Sequence, residues 1–138
     1  QELEILTNRS GNEPMDSVRA VCAAEELEQF AELTGQVNVD VSIGQYIVSF
    51  VSATRSHPSV QLGASPRASL ALMRCTQALA LVNGRSYVTP EDVSIMIPYV
   101  LSHRIHLKQD AKIRGVTAEE VIRDIRSGIM YPFGKERS

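Results

Sequence analysis

Arg67, in the run Gly63-Ala64-Ser65-Pro66-Arg67-Ala68, stands where a side chain can hold phosphate. Pro66 suits the first position of a helix, because its missing N–H is one that a helix start leaves unpaired anyway. Ser65 suits the cap before it, where a hydroxyl accepts from N–H groups of the first turn. Those N–H groups and the positive end of the helix dipole favour an anion. The guanidinium of Arg67 adds a forked, charge-assisted contact that a lysine cannot make. The small residues Gly63, Ala64 and Ser65 would let the backbone approach a nucleotide, or would serve only as loop and cap. Arg67 also has a plainer reading, as a surface arginine paired with a carboxylate.

Other candidate constellations are weaker. The Gly63-to-Arg67 run lacks the closing glycine of a G-x-S-x-G elbow, and no strand is evident before it, so Ser65 reads as a cap and not a nucleophile. His57, His103 and His106 do not have metal-ligand spacing, and no H-E-x-x-H or carboxylate partner accompanies them; no metal site is expected. From His103 to Arg114 the charge is locally positive, with Arg104, Lys108, Lys112 and Arg114 opposed by Asp110 alone. A DNA-binding reading would need interleaved aromatics or a recognition helix there, so a solvated face or a subunit interface is expected instead. Cys22 and Cys75 fit no C-x-x-C pattern and lie among Ala, Val and Leu. Both are expected to be small buried apolar residues, which favours a reducing, cytoplasmic setting.

The elements that must position these residues are helices. Gln1 to Arg9 reads as a helix end, broken by Ser10-Gly11-Asn12-Glu13-Pro14. Asp16 to Cys22 is expected to be extended or irregular. Ala24 to Leu33 predicts a helix with Leu27, Phe30 and Ala31 facing inward and Gly35 as its stop. Ile43, Tyr46, Ile47, Phe50, Val51 and Thr54 fall on one stripe of a long amphipathic helix, capped by Asp40 or by a Ser42–Gln45 box. Arg55 to Leu62 reads as an irregular lead-in. The helix opened by Pro66 runs to Val82, with Leu72, Cys75, Leu79 and Val82 on its inner face, widened by Ala68, Ala71 and Ala78. It should be the centre of the domain, with Arg67 and Arg74 on one side. Asn83-Gly84 ends it. Tyr87-Val88 is expected to pair with Val37-Asn38-Val39. Thr89, Pro90 and Asp92 open a helix that buries Val93, Met96, Ile97, Val100 and Leu101 and kinks at Pro98. Thr117 and Glu120 box the last helix, which buries Val121, Ile122 and Ile125 and stops at Gly128. A tail follows from Tyr131. The fold class is all-α, a helical bundle with at most a short β pair.

The chain has 138 residues, 43% of them hydrophobic and 22% charged. That is one domain's worth, able to bury roughly 70% of its unfolded surface without staples. Aromatics make up 5% and Trp is absent, so the core must be mainly aliphatic. A net charge of -2 gives no whole-molecule field for nucleic acid or anionic membrane. No apolar run approaches the roughly 20 residues of a membrane helix, and no signal peptide is expected.

Three stretches together carry a family resemblance: Gly63 to Arg67 with its apolar helix, Gly84-Arg85-Ser86-Tyr87-Val88-Thr89-Pro90-Glu91-Asp92-Val93, and Val100-Leu101-Ser102-His103-Arg104. In this order and spacing they resemble the C-terminal lid of MoxR-type AAA+ ATPases, and the likeness runs from Leu3 to Ile125. The resemblance implies that Arg67 is the sensor 2 arginine, which reads nucleotide phosphates, with Gly63, Ala64 and Ser65 near the same nucleotide. His103-Arg104 would then be structural or touch another subunit, and Arg74 would touch a neighbour or lie on a solvated face. The chain contains no G-x-x-x-x-G-K-[ST] phosphate loop and no carboxylate pair after an apolar strand. It opens in helix-like sequence at Gln1. The expectation is therefore a piece of a longer ATPase: residues 1–15 leading from an AAA+ core, 16–128 the lid, and 129–138 a tail. ATP with Mg would bind in the parent and not to this segment alone. The expected partners are that core, neighbouring subunits of a ring, most often a hexamer, and client proteins, some with von Willebrand factor A domains. The alternative is a stand-alone helical interaction domain that binds no nucleotide.

Overall fold

The structure, a computed structural model, describes residues 18–131. The expected helix end before Ser10, the break at Ser10 to Pro14 and the tail beyond Tyr131 lie outside them. The chain divides into two units, Gln1–Phe30 and Ala31–Ser138. An irregular stretch from Val18 leads into α1 (Ala24–Gln36), within which the division falls and where the Glu26 carboxylate accepts from the Ala23 N–H.

The second unit continues with α2 (Val41–Ser56), β1 (Val60–Leu62), α3 (Pro66–Val82) and α4 (Pro90–Leu101). A 3-10 turn (Ser102–Arg104), β2 (His106–Leu107), α5 (Gln109–Ile113) and α6 (Ala118–Gly128) follow. It is the expected helical bundle with a short β pair. The core forms around α2, whose buried residues are Ile43, Tyr46, Ile47, Phe50, Val51 and Thr54, the stripe that their spacing predicted. Against it pack α3, α4 and α6. Tyr46 meets the rings of Phe50 and Tyr131 edge-on, at centroid distances of 6.3 and 5.8 Å.

Start and stop signals explain most boundaries. Thr89 and Asp92 form a reciprocal capping box on α4, and Thr117 and Glu120 form another on α6. Asp40, not a Ser42–Gln45 box, caps α2 by accepting from the Ser42 N–H at 2.8 Å. Gly84 ends α3 at φ 72°, with its own N–H on Leu81 and the Arg85 N–H on Ala80. This is the double bond pattern in which a left-handed glycine satisfies the last carbonyls. α4 runs through Pro98 to Leu101 without ending there.

Several expectations are corrected. α1 buries none of its residues; Leu27 is 61% exposed, and Phe30 and Ala31 are exposed too. Their spacing makes an apolar stripe, but spacing does not supply a surface to cover it. Gly35 does not stop α1, which runs on to Gln36, because no left-handed turn forms there. Cys22 is exposed on the irregular stretch, and Cys75 is only half-buried. In α3 the buried face is Ala68, Leu72, Thr76, Gln77 and Ala80, while Val82 is 69% exposed. The face is rotated because polar residues enter it with partners: Thr76 donates to the Met73 carbonyl and the Gln77 amide to the Val37 carbonyl. A buried polar group with its hydrogen bond made carries little penalty, and hydropathy alone does not see this.

Two pieces of extended structure join distant parts. Asn38 bridges Tyr87 in parallel, as expected, through Asn38 N–H to Ser86 and Val88 N–H to Asn38. The antiparallel ladder of β1 with β2, pairing Val60 with Leu107 and Leu62 with His106, replaces what read as an irregular lead-in and part of a basic run.

Candidate functional site

The corner between α2 and α3 is built from Thr54 upward. Thr54 is fully buried at the end of the α2 stripe and donates its hydroxyl proton to the Val51 carbonyl at 2.6 Å. Its oxygen accepts from the Ala64 N–H at 3.0 Å. The next residue, Arg55, donates from its guanidinium to the Ala64 carbonyl at 3.0 Å and to the Ser52 hydroxyl at 2.9 Å. Both polar backbone groups of Ala64 are thus held by α2, and its methyl is buried. Gly63 lies so close to α2 that a Cβ there would be 2.6 Å from the Arg55 nitrogen and 2.7 Å from the Thr54 carbonyl carbon. Its smallness is used inside the protein.

Ser65 takes the N-cap position of α3 in an extended conformation, but its hydroxyl makes no capping bond, contrary to expectation. The Ala68 N–H instead bonds the Ser65 carbonyl at 2.8 Å, a tightened first turn. Pro66 follows at the first position and Arg67 at the second. Ser65 and Arg67 are both exposed. Among the described residues, no carboxylate pairs with Arg67, so the plainer reading of it as half of an ion pair does not hold there. Arg74, seven residues on, is likewise exposed on the same helix.

The remaining candidates do not gather into a site. His103 lies on the 3-10 turn and His106 on β2; His57 sits 3.8 Å from Asp124 and accepts from the Ser59 N–H. Among the described residues no group of three His, Cys, Asp or Glu could hold a metal ion. The positive run is interrupted by its own chemistry, since Arg114 pairs with Asp110 at 3.2 Å.

A forked ion pair with no signature in the local sequence holds the start of α4. Arg85 forks onto Asp92 at 2.7 and 2.6 Å and also donates to the Tyr87 carbonyl. Burial by itself would raise the Asp92 carboxyl, but the Arg85 fork and the Thr89 hydrogen bonds outweigh it and hold it below the usual carboxylate value. This pair is structural: the Asp92 side chain is 3% exposed.

The arrangement offers an exposed guanidinium, unpaired among the described residues, on the first turn of a 17-residue helix, on a corner whose backbone is fastened from behind. Such a group can bind an anion by charge and by fork, and can stabilise charge that builds on a phosphoryl oxygen.

A family described as the AAA lid domain matches residues 52–125, from just before Thr54 to the end of the buried face of α6. The uncharacterized protein YeaC of Bacillus subtilis is 41% identical over 96% of the chain, which covers 41% of that protein. The chaperone MoxR1 of Mycobacterium tuberculosis is 33% identical over 96% of the chain, covering 37% of that protein. A crystal structure from Cytophaga hutchinsonii, described as a putative ATPase, superposes with a TM-score of 0.78 at 28% identity; 94% of this chain covers 42% of it. The chain therefore spans about two fifths of the length of these relatives.

Proposed function

The chain belongs to the AAA lid domain family and is related to MoxR chaperones, and from that premise we propose that it is the lid of a MoxR-type ATPase with Arg67 as its sensor 2 arginine. Arg67 contacts the phosphates of ATP bound between this lid and an AAA+ core. Hydrolysis changes the lid-to-core angle, a hinge motion that subunits of a ring, most often six, pass to one another. The work done is remodelling of client proteins, some carrying von Willebrand factor A domains, in the cytoplasm. Bound Mg-ATP supplies the transferable phosphoryl group; the ligands for Mg belong to the core.

The observation that supports this reading best is the state of Arg67: exposed, unpaired among the described residues, and set at the second position of α3. Of the four residues expected near nucleotide, Ser65 and Arg67 are open to solvent. Gly63 and Ala64 are taken up by packing and hydrogen bonds to α2. We assign the phosphate contact to Arg67, with Ser65 beside it.

The test is ATP turnover by the parent ATPase carrying Arg67→Ala. Loss of one preorganised donor to transition-state charge lowers kcat by about 10²- to 10³-fold. Arg67→Lys should recover little of it, because the fork is lost. Thermal unfolding should not shift, as the side chain is exposed and pairs with no carboxylate among the described residues. Undiminished turnover in Arg67→Ala would remove the sensor role and leave a lid whose part in ATP hydrolysis does not pass through this arginine.

A further inference from the structure

We propose that Thr54 is a positioning residue for Arg67, fixing where the first turn of α3 begins. The inference rests on the sensor reading of Arg67 and adds to it a residue that touches no nucleotide. A helix start is ordinarily fixed by its N-cap side chain. In α3 that anchor is missing, because the Ser65 hydroxyl makes no cap bond. What holds the start instead is one residue earlier. Ala64 gives its N–H to Thr54 and receives the Arg55 guanidinium on its carbonyl, each at 3.0 Å. Pro66 then limits φ at the first position, leaving little freedom between Ala64 and Arg67.

Thr54 suits this role by its chemistry. Its single proton is committed to the Val51 carbonyl, so its oxygen is free to act as the acceptor for Ala64. The side chain is fully buried and can reach nothing outside the fold, so any effect on an exposed arginine must pass through the backbone. Gly63 keeps the loop in backbone contact with α2, at the range where this hydrogen bond is made. Valine has the shape of threonine without the acceptor; serine keeps the acceptor.

The experiment measures kcat and KM for ATP in the parent ATPase with Thr54→Val, Thr54→Ser and Arg55→Ala, each alone and combined with Arg67→Ala. A displaced catalytic contact shows in kcat more than in KM, and a misplacement of about 1 Å costs up to about 100-fold. Thr54→Val is expected to lower kcat by about 10-fold with KM little changed, and Thr54→Ser to restore it. Arg55 is exposed, so Arg55→Ala keeps the fold; it is expected to lower kcat by about 3-fold and decides the matter if Thr54→Val does not fold. On the Arg67→Ala background neither change should lower kcat further, because the group they position is gone. Wild-type kcat in both Thr54→Val and Arg55→Ala, beside an impaired Arg67→Ala, overturns the positioning role and spares the sensor. A loss that persists in full without Arg67, or that serine does not rescue, also overturns it. Normal turnover in Arg67→Ala overturns the sensor reading and this inference together.

Discussion

A methyl group at position 63 would have to share space with the backbone of Thr54 and Arg55, at 2.6 to 2.7 Å. Backbone of a helix cannot move aside as the end of a long side chain can. Gly63→Ala is therefore expected to lower stability by about 1–3 kcal/mol, read as a drop in melting temperature of the isolated chain. An unchanged melt would mean that the corner slides along α2 without strain. The place of Arg67 on the first turn of a helix was legible in the sequence, because Pro66 marks that start. The reason for Gly63 was not, since a small residue before a helix fits ligand approach and internal packing equally. Thr54 was legible only as the last member of an apolar stripe. Its hydrogen bond to Ala64 joins residues ten apart and leaves no local pattern.

Among the elements, α4 has the firmest start. The Asp92 carboxylate accepts from the Thr89 N–H, the Thr89 hydroxyl and Arg85 at once. Its pKa is lowered on folding, so its contribution is present above the unfolded carboxylate value of about 3.9 and is lost as pH falls through the lower folded value. Asp92→Asn is expected to cost about 1–2 kcal/mol at pH 7 through the weakened cap. Denaturant titrations across pH 2–7 should show the two proteins converging on the acid side. A gap that stays constant with pH would mean that the charge of Asp92 adds nothing. The boxes at Thr89 and Thr117, the stop at Gly84 and the α2 stripe could all be read directly, because each is written in neighbouring residues. The ladder of β1 and β2 could not. Its strands are three and two residues long, too short for alternation to register, and His106-Leu107 sits within a basic run. The buried face of α3 departs from the hydropathy pattern at Val82 because Thr76 and Gln77 turn inward with hydrogen bonds made, Thr76 within the helix and Gln77 to Val37 forty residues away.

For the whole molecule, charge argues against nucleic acid. The net charge is -2, and the basic stretch carries an internal ion pair between Asp110 and Arg114. Phosphate-backbone binding rests on several uncompensated cations and strengthens as salt falls. Duplex DNA titrated at about 50 mM salt is expected to give no saturable shift in mobility. Binding that Lys108→Glu and Lys112→Glu abolish would reverse that view. The family match, by contrast, came through the order of three separated motifs, which composition could not supply. The corner that presents Arg67 also has a kinetic meaning. Its Thr54–Ala64 bond closes a loop of ten residues, whereas the Gln77–Val37 bond closes one of forty. Loop-closure entropy grows as the logarithm of length, so the shorter loop costs about 1.2 kcal/mol less to close. Contacts near in sequence form before distant ones reward the chain for ordering. On loop-closure cost alone, the arginine's seat is expected to close before the contact that ties α3 to Val37.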